Sequence, residues 1–426
     1  SVGWIVSEEN FMKNQQTVDF LKLRASFGLV GNDKYSGARF LYLDGSWTGN
    51  HAVWQNGYGS YQFGMGGSMT MLPDAVENTV GNSEVTWEKV RKQNYGIDLK
   101  MFGARLSLTA DYFFEHRYDI LSTRNTLPSI VAIELGEVDN RGYEISLGWN
   151  SRTEKIDWWV QGNVSYSKNK IIFMDEVMPN YPWMAQTGRS TGLNYGYRFD
   201  RFLRADDFDA DGALKSDGEG KPLLPVMSLG SPRPGDALFK DLNGDGKIDG
   251  NDKTYFGYSQ RPDYVLGLLG GFRYKNFEIS MQWTAGLHAS RMLSGEYRNA
   301  FGSTNGRALL KFLADGRWTP ENPDARFPRL TFLNKSHYLE DSDLWLMDGS
   351  YLRLKVAEIG YTFRDIPAFR KVGVKSLKVY FSGYNLLTLF SDLNDIDIDP
   401  EGATSGSNID SYPNVRIFNF GVNITF

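Results

Sequence analysis

Apolar and polar side chains alternate with a period of two along almost the whole of this chain. In the stretch 20–29, Leu21, Leu23, Ala25, Phe27 and Leu29 fall on one face, and Lys22, Arg24, Ser26 and Gly28 on the other. Tyr95, Ile97, Leu99 and Met101 oppose Asn94, Gly96, Asp98 and Lys100. After a turn at Gly103, Leu106, Leu108, Ala110, Tyr112 and Phe114 oppose Ser107, Thr109 and Asp111. The same rhythm returns at 143–149, 156–166, 264–274, 277–283 and 377–381. It is cleanest at the end, where Phe418, Phe420, Val422, Ile424 and Phe426 alternate with Asn419, Gly421, Asn423 and Thr425. Period two is the signature of β-strands with one apolar face. In 350–363 the apolar phase slips near Val356, which predicts a bulge. The count is about ten strands, with a fragment at 2–6 that fits the tail of one more.

The connections divide into two kinds. Short turns are expected near Gly103, at 151–155 and at Lys275, with a compact link over 364–375. Long polar segments occupy 31–83, 169–261, 291–349 and 391–411. Running the strands alternately up and down places every short turn on one side and every long segment on the other. Tight periplasmic turns opposite long extracellular loops characterise an outer-membrane barrel. A soluble sandwich or propeller explains the strands but not this asymmetry, nor the Tyr, Trp and Phe gathered at strand ends. The expected fold is therefore all-β, a transmembrane antiparallel β-barrel of about ten or eleven strands forming one domain over 1–426, with 169–261 and 291–349 as large extracellular loops.

Composition adds little against this picture. Aromatic residues are 14% of the chain, with 23 Tyr, 27 Phe and 11 Trp. No apolar run approaches the roughly 18 residues that a helical span requires, whereas a barrel strand needs only about 9 to 11. The net charge of −5, without a long basic run, argues against a nucleic-acid partner. Zero cysteines exclude disulfides and thiol catalysis.

The most specific local motif is DLNGDGKIDGND. Asp241, Asn243 and Asp245 stand at alternate positions, Gly246 sits at the sharp turn, Lys247 offers its carbonyl, and Asp249 and Asp252 follow at the ninth and twelfth positions. That spacing wraps oxygens around a hard cation, and Ca²⁺ is expected as a structural ion in an extracellular loop. Asp252 replaces the usual Glu. A second cluster, Asp207, Asp209, Asp211 and Gly212, has Gly218 at its twelfth position and reads as a solvated turn. The four His residues (His51, His116, His288, His337) have no ligand spacing and are expected at surfaces or interfaces. No metalloprotease motif is present, and no enzyme is expected. Among loop aromatics, Trp54, Tyr58, Trp183 and Tyr195 are candidates for substrate contact, although packing of loop on loop explains such residues as well.

With these residues in view, the chain resembles the C-terminal half of the SusC/RagA family, TonB-dependent transporters of Bacteroidetes. The resemblance is carried by SVGWIVSEENFM and FLKLRASFGLVGN, then NYGIDLKMFGARLSLTADYFFEHRYDIL, NRGYEISLGW and YGYRFDRF. It continues through DLNGDGKIDGNDKTYFG, YKNFEISMQW, SYLRLKVAEIGYTF, LKVYFSGYNLLTL and VRIFNFGVNITF. It implies part of a barrel of about 22 strands, whose N-terminal plug, TonB box and first half are not in this sequence. It also implies import of a glycan or peptide across a Gram-negative outer membrane, with a SusD-like surface lipoprotein as lid, the TonB complex as energy source and outer-membrane lipid around the wall. The alternative is a complete ten-stranded outer-membrane barrel acting as a porin or an omptin-like protease. Ionic conductance or peptidase activity would reveal either.

Overall fold

The computed structural model describes residues 1–32, 46–49, 60–63, 70–73, 75–80, 86–120, 122–123, 129–132, 136–153, 156–228, 230–301, 309–332, 336–364, 366–371, 373–402 and 413–426. Its main sheet has eleven strands: β1 (Val2–Ile5), β2 (Val18–Asn32), β3 (Glu88–Met101), β4 (Leu106–Tyr118), β5 (Gly136–Arg152), β6 (Ile156–Met174), β7 (Tyr264–Tyr274), β8 (Phe277–Leu287), β9 (Tyr351–Arg364), β10 (Ser376–Leu389) and β11 (Ile417–Thr425). Neighbours in sequence are neighbours in the sheet, antiparallel throughout, and β1 and β11 are the two ends. The expected strands and the eleventh fragment are all present. The ends do not pair with each other among the described residues, so the sheet is an open arc and not a closed ten-stranded barrel.

The apolar face is the exposed one. Leu23, Phe27, Leu29, Leu147, Leu268, Phe272, Met281, Phe381, Phe418 and Phe420 are 40–73% accessible. A soluble protein would bury them; a wall facing hydrocarbon would not. The opposite face is polar and cross-linked. Arg24 on β2 donates to Asp98 on β3 at 2.8 Å and to Asp111 on β4 at 2.9 Å. Farther round, Lys378 on β10 meets Glu358 on β9 at 2.8 Å, and Arg273 on β7 meets Glu278 on β8 at 3.0 Å.

Strand register arranges the aromatics in tiers. Tyr95, Tyr112, Tyr143, Tyr166 and Tyr264 stand directly opposite one another from β3 to β7. The Tyr166 and Tyr264 ring centroids lie 4.6 Å apart. Nearer the short turns, Trp158 opposes Phe272, and Tyr274 opposes Phe277, which in turn opposes Tyr361. At ~3.3 Å per residue and a tilt of about 40°, the run from Tyr264 to Tyr274 rises about 25 Å, the height of the apolar band of an outer-membrane barrel.

The slip near Val356 is a bulge. Trp283 pairs with Leu354 but Gln282 with Val356, leaving Lys355 unpaired on that side. Before it the outward residues of β9 are Leu352 and Leu354; after it they are Ala357, Ile359 and Tyr361. The extra residue shifts the parity and keeps the apolar set outward on both sides.

The connections follow the expected asymmetry. Short links join β3 to β4, β5 to β6 and β7 to β8, where Lys275 takes a φ of 55°. The compact link from β9 to β10 holds a one-turn helix, Pro367–Lys371. One boundary moves: β6 runs on to Met174, so the segment read as loop from Asn169 leaves the sheet only at Asp175. At the other end, the described residues of the long segments 175–263, 288–350 and 390–400 fold together as a cap. Among the described residues, the buried apolar cluster lies here, including Leu203, Phe239, Leu293, Leu313 and Trp345. Short strand pairs stitch it, such as Phe199–Phe202 with Ala237–Phe239 and Ser290–Met292 with Leu346–Asp348.

An outward charge at mid-wall should be far costlier than an inward one. Leu268→Arg is expected to destabilise the folded barrel by about 2–4 kcal/mol in lipid vesicles, while Gln161→Arg on the interior face should be nearly neutral. Denaturant titration of the reconstituted protein that carries this chain measures both.

Candidate functional site

The cap holds the candidate site, and the DLNGDGKIDGND loop lies at its centre. Gly244 and Gly246 take φ of 75° and 82°, so the chain can turn back on Asp241. One Asp241 carboxylate oxygen accepts from the Gly244 amide at 2.7 Å and the other from Gly246 at 2.8 Å. Asn243 accepts from the Asp245 amide, and Asp245 from the Lys247 amide at 2.8 Å. Ile248, fully buried, ties the loop to the core, and Lys247–Ile248 pairs in parallel with Val226–Met227. Asp252 is also fully buried, its two oxygens accepting from the amides of Leu242 and Asp249.

The loop fits a hard cation in its oxygen chemistry and its turn. Carboxylates are concentrated here: burial, then the charges of Glu340, Asp252 and Asp249, push the phenol of Tyr197 up to about 12. Among the described residues, however, no three His, Asp or Glu side chains converge tightly enough to hold a metal by themselves. A cation here would also need Asn243 and the Lys247 carbonyl. The second acidic cluster is a turn: Asp207 pairs with Arg201 at 2.7 Å, and Asp209 accepts from the Asp211 and Ala213 amides.

Of the substrate candidates, Trp54 and Tyr58 lie outside the described residues. Trp183 is stacked on Tyr181 at 4.5 Å, and its indole N–H donates to the Asn251 carbonyl within the acidic loop at 2.9 Å. Tyr195 packs against Tyr255 at 4.7 Å, and burial raises its phenol. Both rings are half-buried, with one face engaged in cap packing. The His residues are dispersed. His116 lies 2.7 Å from Asp139, and His288 stacks on Tyr258. His337, expected at a surface or interface, is fully buried with a ring nitrogen 2.9 Å from the Gly230 carbonyl.

Sequence reasoning missed the group that fastens the cap to the wall. Arg353 of β9 points inward, 4% exposed at its side chain, and donates to Asp399 at 2.8 Å and Glu401 at 2.9 Å. Lys355, set free by the bulge, reaches the same Glu401. Burial pushes the Asp399 carboxyl up, but the hydrogen bond from Arg353 and the amides of Glu401 and Asn414 outweigh it and hold the pKa below the usual carboxylate value. Only the phase slip at Val356 hinted at this place in the sequence.

No family model matches the chain. Two TonB-dependent receptors of Formosa agariphila are 29% and 30% identical over its whole length, and the chain covers 41% and 42% of them. The TonB-dependent receptor SusC of Bacteroides thetaiotaomicron is 25% identical, again over the whole chain, which spans 39% of that protein. The chain thus spans about two fifths of the length of these relatives. Among solved structures, the RagAB peptide transporter superposes over the full chain with a TM-score of 0.68 at 19% identity and 42% coverage of its own chain, a likeness of fold.

Arg353→Met would leave the buried Asp399 without its cation and Glu401 with Lys355 alone, and the segment 390–402 should lose about 3–5 kcal/mol of local stability. A carboxyl whose folded pKa is lowered stabilises above its unfolded value and loses that contribution as pH falls through the folded value. In the native protein, amide exchange across 390–402 should therefore rise only below the ordinary carboxylate range. In the variant it should be fast already at neutral pH.

Proposed function

We infer that this chain, a SusC-like C-terminal half of a TonB-dependent receptor barrel, builds the wall and much of the extracellular cap of an outer-membrane nutrient importer in a Gram-negative bacterium. The observation that carries this reading is the inside-out distribution of apolar residues. The wall shows its apolar face outward beneath a tier of tyrosines, and the buried core is displaced into a cap at one end. A glycan or peptide would be captured between that cap and a SusD-like surface lipoprotein. Energy delivered by the TonB complex, acting through a plug, would then release it into the periplasm. No covalent chemistry is involved.

Within the cap, Asp241, Asn243, Asp245, Asp249, Asp252 and the Lys247 carbonyl would hold a structural Ca²⁺, neutralising the acidic loop that Trp183 leans on. Trp183 and Tyr195, with Trp54 and Tyr58, would offer ring faces to the substrate. Stacking on sugar rings or on apolar peptide side chains both suit such rings.

Labelled oligosaccharide and oligopeptide pools presented to cells with and without TonB test the transport reading. One pool should be taken up only when TonB is present. Uptake that survives loss of TonB, with steady conductance in planar bilayers, would identify a passive pore. For the ion, Asp241→Ala with Asp245→Ala should abolish bound calcium, read by elemental analysis of the purified receptor, and should speed amide exchange over 241–252. Undiminished calcium would sink the assignment.

A further inference from the structure

Two recesses lie one above the other on the membrane-facing side of β5 to β8, separated by the tyrosine tier. The upper one, about 540 Å³, opens just beyond Tyr166 on the side of the long loops. Its floor is made by the outward residues of the next rungs: Arg141 opposes Lys168, and Asp139 opposes Lys170. Parity fixes their direction, because Lys168 and Lys170 continue the outward series Val160, Gly162, Val164, Tyr166. The segment 188–191 closes one side by pairing with the upper end of β6, where Ile171 donates to the Arg189 carbonyl at 2.8 Å and the Gly188 amide to the Ile171 carbonyl at 2.8 Å. Arg141 and Lys170 are exposed and make no ion pair among the described residues. Two carboxylates accompany these cations: Asp263, 3.9 Å from Lys168, and Asp139, which lies across from Lys170 and is engaged by His116 at 2.7 Å.

The lower recess, about 590 Å³, is apolar and set among Ile145, Leu147, Val164, Leu266, Leu268 and Trp283. Gly162 makes the notch, standing between Leu147 and Leu268 on its neighbouring strands. A Cβ built there would meet nothing closer than 3.9 Å, so the space is open and not occupied by a neighbour. A cationic hollow at headgroup height above an apolar slot at acyl-chain depth has the form of an amphipathic anion site. Arg141 and Lys170, with Lys168 held only loosely by Asp263, leave an outward cationic excess at this height, where basic side chains attract anionic headgroups.

We propose that this face holds one phosphorylated glycolipid of the outer leaflet, its phosphate between Arg141, Lys168 and Lys170 and an acyl chain in the Gly162 notch. The proposal rests on the membrane orientation argued above. Bidentate donation by Arg141 and point charges from the two lysines suit a phosphate monoester. The tyrosine tier would mark the glycerol or sugar level between the two parts.

Native mass spectrometry of the intact receptor that carries this chain, reconstituted in phosphatidylethanolamine nanodiscs doped with lipid A, tests the proposal. One diphosphoryl or monophosphoryl lipid A should be retained, and chemically dephosphorylated lipid A should not. The triple variant Arg141→Gln, Lys168→Gln, Lys170→Gln should retain it about a hundredfold more weakly. Gly162→Leu, which fills the slot and leaves the charges, should weaken retention independently. Lys100→Gln, on the interior face, should change nothing. Equal retention by the triple variant, or of the dephosphorylated lipid, would overturn the proposal. So would tight binding of inorganic phosphate in lipid-free detergent, which would make the hollow a free-phosphate site. Heat-modifiable mobility on SDS gels separates the two levels. A folded, inserted barrel without lipid preference refutes this inference alone, and a chain that never becomes heat-modifiable refutes the membrane reading as well.

Discussion

Hydrocarbon offers no hydrogen bonds, and this single deprivation orders the rest of the molecule. Every backbone amide and carbonyl that crosses the membrane must find its partner in the next strand. The chain therefore runs as a simple antiparallel succession from β1 to β11, with no strand out of sequence. Once the ladder satisfies the backbone, side chains are sorted by the pleat alone. One set meets lipid; the other meets the interior, where Arg24, Arg273 and Lys378 each bridge to carboxylates on adjacent strands. Lys355 shows how strict the sorting is. A single extra residue in β9 is tolerated because it lets both halves of the strand keep their apolar side outward, and its freed ammonium goes to Glu401.

The wall consequently has no interior of its own to bury, and hydrophobic packing of the ordinary kind is transferred to the loops. Leu203, Phe239, Leu293, Leu344 and Trp345 form a core as dry as that of a small soluble domain. Buried charge accompanies it: Asp236 is fully enclosed and is gripped by Arg329 at 2.7 Å and 3.3 Å. The cap is thus a folded body rather than a fringe of loops. It meets the wall through the Arg353, Asp399 and Glu401 group, which sits where β9 emerges from the membrane.

The strands could be read from the sequence because alternation is imposed at every second residue, and even the bulge left its trace at Val356. The cap could not. Its strands are two to four residues long, as at Val226–Met227 and Phe199–Phe202, too short for any period to register. Its core residues are scattered over some 200 positions of polar sequence, and His337 passed for a surface residue because nothing local announces its burial. The acidic loop was legible in its spacing. What the spacing could not foretell is that Asp252 would be enclosed and turned to two backbone amides, because that depends on Ile248 and its neighbours closing over it.

The tyrosine tier is lopsided. It is continuous from β3 to β7, but Tyr264 faces Leu287 on β8, and the series ends there. Amphipathic rings hold their depth at a membrane surface. The arc from β3 to β7 is therefore pinned along its upper edge, while on β8 and β9 the aromatic hold lies at the lower tier, at Phe277 and Tyr361. When bilayer thickness departs from the apolar band, the mismatch cannot be shared evenly around the circumference. The wall would answer a thinner or thicker membrane by leaning about its pinned arc, carrying the cap with it. Bilayer thickness would thereby become a coordinate that sets the angle of the cap to the membrane plane.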